Sequence, residues 1–312
     1  MAKIKTSIAG QALMEGIMMV GPSKTTAAFC DTNGNISTED ISFEPMTAKY
    51  KILRLPFIRG IFILIDSYRR GYKALSLSAD KMMEDGVEEE ESKLDKWLND
   101  HMGEKLTGII MGVAGVLGVG LAVLLFFLLP TLLFNGILSL SGWNIESARA
   151  VFEGVIRFVI FMVYLMAVSA VPDIKRTFMY HGAEHKSIFC YEEDLPLTVE
   201  NVKKQSRFHP RCGTSFMVLM LLVGMVVGFF IPFTNPIART VTKLLTIPIV
   251  MNIGYELLRL CGKYDNALIR AITAPGLWMQ RITTKEPTDQ MIEAAITALK
   301  SVIPEDGEDV II

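Results

Sequence analysis

The chain is poor in the residues that most often announce a function. It has four histidines and four cysteines in 312 residues. The cysteines, Cys30, Cys190, Cys212 and Cys261, are scattered and form no C-x-x-C pair, which excludes a disulfide framework. Net charge is only −2, so there is no global basic field of the kind that binds nucleic acid. The N-terminus, MAKIKTSIAGQALMEG, lacks the apolar core of a signal peptide. The expectation is a chain made in the cytosol and inserted through internal spans. Charge is also missing locally: from Leu106 to Ile145 there is no charged residue.

What is present is apolar. Hydrophobic residues make up 51% of the chain, and mean hydropathy is +0.37. A bilayer core needs about 20 apolar helical residues. Four windows meet or approach that length: 108–129, 154–171, 213–233 and 237–258. Pro130 is expected to interrupt the first, and Arg157 to snorkel from near one end of the second. The fourth is weakest, with Arg239 and Lys243 in its first turns and Glu256 near its end. An interfacial or buried helix is its alternative.

Loop charges set an orientation. The segment between the second and third windows holds Lys175, Arg176, Lys186, Lys203, Lys204, Arg207 and Arg211, whereas the other two connections carry essentially one arginine each, Arg149 and Arg239. Four spans with both termini in the cytosol satisfy every loop. The expected fold is a mainly α membrane protein with about four transmembrane helices, a small β-containing N-terminal cytosolic region and amphipathic or interfacial helices.

Residues 1–50 form the expected β region. Two strand-like runs flank Asn33-Gly34, a type I′ turn signal. Before it, Glu15 lies among Leu13, Met14, Ile17, Met18 and Met19. It reads as a surface glutamate on a strand or turn, or as a carboxylate packed under a site. Residues 51–80 read as an amphipathic interfacial helix, and 81–105 as an acidic linker. Residues 106–258 form the transmembrane bundle, with a polar loop at 172–212. In the 259–312 tail, Met291, Ile292, Ala295, Ile296, Leu299 and Val302 fall on one face of a short helix.

The polar loop concentrates the scarce residues. Pro172 and Asp173 are helix-start signals. A helix from there puts His181 and His185 on one stripe, with Glu184 at its border. The string His181-Gly-Ala-Glu184-His185 is H-x-x-E-H, the reversed zincin pattern. Two imidazoles at i and i+4 can reach one divalent transition metal, zinc by preference. Zinc activates water, and a neighbouring carboxylate moves protons. A catalytic zinc needs a third protein ligand and an open position. His209 and Cys212 lie just before the third window and are candidates, as are Glu256 and, more weakly, Asp173. Four ligands drawn from His181, His185, His209 and Cys212 would instead close the site and make it structural. Cys212 beside His209 and Arg211 is also a candidate low-pKa thiol, and Cys190 a buried apolar residue.

The motifs GQALMEGIMM, YHGAEHKSI, HPRCGTSF, YELLRL and APGLWMQRITTKEP together resemble the YqhQ family of bacterial membrane proteins, a domain-of-unknown-function family. The likeness runs from Ile8 to about Leu299. It implies a multi-span bacterial inner-membrane protein of a family spoken of as predicted metal-dependent enzymes. It carries a site onto His181, Glu184, His185, His209 and Cys212, and draws Glu15, Glu256 and the APGLW loop toward it. Val20 stands where a basic residue is expected, which leaves any charge there without support. Three readings follow. One is a hydrolase at the cytosolic leaflet, with Glu184 catalytic and a lipid-linked or membrane-peptide substrate. One is a non-catalytic scaffold. The third is a transporter, disfavoured because the spans carry few internal charges and no matched pair of broken helices.

Overall fold

The computed structural model describes residues 4–31, 33–56, 58–84, 103–142, 145–264, 266–305 and 307–310. They divide into two compact units, one of Met1–Gly86, Leu165–Met220 and Met251–Ile312, the other of Val87–Tyr164 and Leu221–Val250.

The first unit is built on a four-stranded antiparallel meander, β1 (Ala9–Leu13), β2 (Gly16–Val20), β3 (Thr25–Cys30) and β4 (Ile36–Asp40). The register puts Leu13 opposite Gly16 and Cys30 opposite Ile36. The β3–β4 hairpin is present, but its turn is not type I′: of Asn33 and Gly34 only Gly34 has positive φ, at +90°. Type I′ needs positive φ at both central residues. Here Gly34 N–H donates to Asp31 O, and the Asp31 carboxylate accepts from Asn35, so the loop closes around an aspartate.

Strand β2 is apolar without alternation because both its faces are covered. Ile17 and Met19 face one core, shared with Tyr180, Ala183 and Ile188 and with Met291, Ile292 and Leu299. Met18 faces another, shared with Leu13, Ala27, Phe29 and Ala74. Helix α1 is the short turn Met46–Lys49, and helix α2 runs Arg59–Glu84 and supplies Ala74. It starts later than expected, because Pro56 keeps Leu55 extended at ψ 142°. The acidic stretch falls mostly on 85–102, outside the described residues.

Helix α3 (Gly103–Val123) continues through a π turn, Leu124–Leu128, into α4 (Leu129–Ser141). Pro130 therefore does not interrupt it. A proline has no N–H for the carbonyl four residues earlier, here Phe126. The π turn accommodates the ring, and Arg157 Nε donates to Phe126 O at 2.8 Å. Arg157 lies in α5 (Arg149–Val168) and is buried rather than snorkelling.

Because α5 starts at Arg149, it also carries Glu153, just outside the expected window. Glu153 is 2% exposed and paired with Arg239 Nε at 3.0 Å and Lys243 Nζ at 2.8 Å, while Thr131 Oγ1 donates to it at 3.0 Å. The expectation of few internal charges is corrected by this cluster. It also explains why Arg239 and Lys243 do not spoil α9 (Pro236–Lys263): each has its counter-charge inside the unit.

Three helical stretches are long and apolar enough to cross a membrane, Gly112–Ser141, Glu146–Val168 and Pro236–Cys261. The expected third span, 213–233, is instead a shorter apolar helix, α8 (Gly213–Gly228). It stops before Ile231, whose αR conformation the following Pro232 disfavours.

Helices α6 (Pro172–Glu192) and α7 (Val199–Lys203) fill the polar segment. The C-terminal tail holds two helices, not one: α10 (Ala267–Thr283) and α11 (Asp289–Val302). The APGLW string is inside α10, with Pro275 in its interior and Gly276 pressed on Ser215, where a Cβ would lie 2.8 Å from Oγ. The α11 face read from the sequence is buried throughout against α6, β2 and β3. Each such aliphatic side chain contributes about 1.5–3 kcal/mol.

Candidate metal and acid–base site

Helix α6 begins where its sequence signals say, with Pro172 in the first turn after an extended Val171. The i, i+4 spacing brings the His181 and His185 rings to 4.4 Å between centroids. Each ring uses Nδ1 on a backbone carbonyl: His181 donates to Thr283 O at 2.8 Å, and His185 to Arg207 O at 2.5 Å. A carbonyl only accepts, so Nδ1 carries the proton and both Nε2 atoms present lone pairs. His181 Nε2 lies 3.2 Å from Cys212 Sγ. His185 Nε2 is buried with no hydrogen-bond partner among the described residues.

Cys212 immediately precedes α8. Thr214 N–H points at its sulfur at 3.4 Å, and Thr214 Oγ1 lies 3.2 Å away. Among the described residues, His181, His185 and Cys212 are the group whose donor atoms all lie within 4.8 Å of one another, a set that could hold a metal. Burial pushes the His185 imidazole below its ordinary pKa, against the opposing effect of Cys212, so it is neutral at pH 7.

Glu184 immediately precedes His185 on α6. It is buried against Gly10 of β1, where a Cβ would come within 2.5 Å of Glu184 Cγ. Burial raises its pKa, with His181 and His209 opposing. Gly182 is glycine for a packing reason: the strand-like segment after α10 crosses α6 so closely that a Cβ would sit 2.0 Å from Lys285 O.

His209 is near but differently engaged. Its ring stacks 5.6 Å from that of His185. Its Nδ1 accepts from Arg211 N–H at 3.3 Å, and its Nε2 lies 3.4 Å from Glu192 Oε2. Both nitrogens are used, so it does not join the His181–His185–Cys212 group. Burial lowers its pKa to about 4. Arg211 also pairs with Glu192 and donates to Thr6 O at 3.0 Å, tying the N-terminal segment to α6.

The other candidates lie apart from the cluster. Glu256 makes a two-point ion pair with Arg59, at 2.6 and 2.5 Å. Asp173 is exposed in the first turn of α6. Glu15 sits in the β1–β2 turn at φ +47° and pairs with Arg176, while Tyr180 OH approaches it at 3.4 Å.

The sequence reading missed Gln280 and Glu192. Gln280, fully buried, clamps His209 from both sides of its peptide: its Oε1 accepts from His209 N–H and its Nε2 donates to His209 O, each at 2.7 Å. A signal existed: Thr273, Gly276, Gln280 and Thr283 form a small and polar stripe at helical spacing.

Residues 55–305 match the family described as "Protein of unknown function (DUF1385)". The chain belongs to this family. It is 34% identical over 307 residues to "Uncharacterized protein YqhQ" of Bacillus subtilis (strain 168), covering 96% of this chain and 93% of that one. No solved structure matches it. The DUF1385 range includes every residue of the His/Cys cluster and its carbonyl partners at Arg207 and Thr283, and starts after the sheet.

Proposed function

We propose that this chain is a membrane-embedded protein whose His181, His185 and Cys212 hold one divalent transition-metal ion, zinc, for hydrolysis at the cytosolic membrane face. The observation that carries this is the paired tautomer. Backbone carbonyls fix both Nδ1–H groups, so two Nε2 lone pairs converge beside a thiol. A second partner on Nδ1 is how ligating histidines are oriented. The unpartnered His185 Nε2 fits a ligand, because an unsatisfied buried nitrogen costs about 1–3 kcal/mol.

Imidazole and thiolate suit zinc, and three protein ligands leave a position open. The amide and hydroxyl of Thr214 at the start of α8 lie 3.4 and 3.2 Å from the Cys212 sulfur. When bound, such an ion supplies Lewis acidity. Glu184, next to His185 and with a raised pKa, takes or returns a proton at its carboxylate. The apolar helix α8 begins one residue after Cys212, which favours a lipid-linked or membrane-peptide substrate. The Lys/Arg-rich segment around α6 favours a cytosolic face in a bacterial inner membrane.

A scaffold role is the second reading. One observation favours it: the cluster and the Glu192–Arg211–Thr6 bonds pin three separate segments together.

Elemental mass spectrometry of detergent-purified protein tests the metal. About one zinc per chain, absent from His181→Ala/His185→Ala, is expected; no metal in wild type after reloading overturns the proposal. Glu184→Gln then separates the readings. Retained metal with lost complementation of a deletion strain fits hydrolysis, and full complementation leaves the scaffold.

A further inference from the structure

A cavity of about 450 Å³ opens in the first unit between the α1–α2 segment and the last turns of α9. Its walls include Thr47, Arg54, Arg59, Ile63, Tyr255 and Arg259. Among the described residues, no acidic side chain lines it. Close packing fixes the walls: a Cβ on Gly60 would lie 2.9 Å from both Asn252 Oδ1 and Tyr255 Cβ, so only glycine lets α2 approach this closely.

The three guanidiniums differ in what they have left to give. Arg54 uses Nε on Thr47 O at 2.5 Å and Nη2 on Ala48 O at 3.4 Å, leaving Nη1. Arg59 spends Nε and Nη2 on Glu256, again leaving Nη1. Arg259 makes no hydrogen bond or close ion pair among the described residues, and it is exposed at the cavity rim. Glu256 is neutralised by Arg59 and also feels Arg259, while Asp66, which accepts from Thr47, is paired with Arg69; Arg54 and Arg259 form no close ion pair among the described residues. Guanidiniums with free N–H pairs recognise phosphate in a fork geometry.

The surroundings add a second feature. Residues 46–59 carry Lys49, Lys51, Arg54 and Arg59 and no acid. Between these charges, Tyr50, Ile52, Leu55 and Ile58 are exposed, at 50%, 64%, 52% and 37%. Basic residues interleaved with exposed aromatic and aliphatic ones are the pattern of a segment lying in a lipid headgroup layer. Tyr255 and Arg259 sit in a helix long and apolar enough to cross a bilayer.

We infer that this cavity binds the phosphate of an anionic ligand, either a phospholipid headgroup or free phosphate, through Arg54, Arg59 and Arg259. It uses no residue of the His/Cys cluster, so it stands or falls apart from the metal reading.

The test is native mass spectrometry of the full chain in detergent, titrated with dihexanoyl phosphatidylglycerol, dihexanoyl phosphatidylcholine or inorganic phosphate. Wild type should prefer phosphatidylglycerol over phosphatidylcholine by about ten-fold or more. Arg54→Gln/Arg259→Gln should lose about ten-fold affinity for phosphatidylglycerol and leave phosphatidylcholine binding unchanged. Arg259→Gln alone removes no hydrogen bond or close ion pair among the described residues, and carries the test at a smaller loss if the double variant misfolds. Competition by millimolar inorganic phosphate assigns the cavity to the free anion; its failure to compete assigns it to the lipid, and either supports the inference. Equal affinity of wild type for the two lipids, or a phosphatidylglycerol preference that survives both variants, overturns it.

Discussion

The Glu153 cluster and the His/Cys cluster both bury ionisable side chains, and they differ in how completely their polar atoms are used. Around Glu153, each carboxylate oxygen is met by a donor: Oε1 by Thr131 and Arg239, and Oε2 by Arg239 and Lys243. Arg239 also donates to the carbonyls of Gly228, Ile231 and Phe233. Around His185 the reverse holds. Its ring is locked on one side by Arg207 O and, among the described residues, left unpartnered on the other, beside a second imidazole and a thiol. A saturated network in a low-dielectric interior stabilises one packing and has nothing to offer a ligand. A network oriented but unsaturated is what a binding site needs. Counting charged residues would rank the Glu153 cluster first; counting unused donor atoms ranks the His/Cys cluster first.

Three changes probe that contrast. The largest effect is expected from Glu153→Gln, which leaves Arg239 and Lys243 buried without a counter-charge. Breaking a buried pair costs about 3–5 kcal/mol, so the variant should show a large loss of thermal stability in detergent. A near-wild-type melting curve would mean that the cluster is not saturated by Glu153 at all.

A smaller effect sharpens the same point at Phe126 O. Arg157→Met removes the donor that stands in for the N–H missing at Pro130, at a cost of about 1–3 kcal/mol. Pro130→Ala restores a helical N–H, so in that background the arginine should matter less. A double-mutant cycle reads this as coupling, and strictly additive effects would sink the account.

The smallest effect is expected at Glu15→Gln. Its ion pair with Arg176 is partly exposed, with side chains 26% and 52% accessible. Such pairs contribute about 0–1 kcal/mol. A melting-point drop as large as that of Glu153→Gln would show that exposure is a poor guide here.

Parts of this architecture were legible before any coordinates. Pro172-Asp173 marks the start of α6, and the apolar spacing of Met291 to Val302 marks α11, because both signals are local. The shared stripe of His181 and His185 follows from helical periodicity alone. Other parts were misread for identifiable reasons. Pro130 and Pro275 look like breaks, yet both lie in continuous helix. At Pro130 a side chain from α5 satisfies the freed carbonyl. The α10 helix was hidden by Ala-Pro-Gly, whose glycine serves contact with Ser215 rather than a turn. His209 stood beside Cys212 in the sequence as a ligand candidate of equal standing, and only its bonds to Arg211 and Glu192 set it apart.

The sequence by itself determined the helical periods, the apolar lengths, the hairpin and the placing of two imidazoles on one stripe, since each depends on residues a few positions apart. The tertiary structure decided which nitrogen of each histidine is free. That choice is made by the carbonyls of Arg207 and Thr283, far along the chain, and every residue carries the same carbonyl, so no letter of the sequence could announce it.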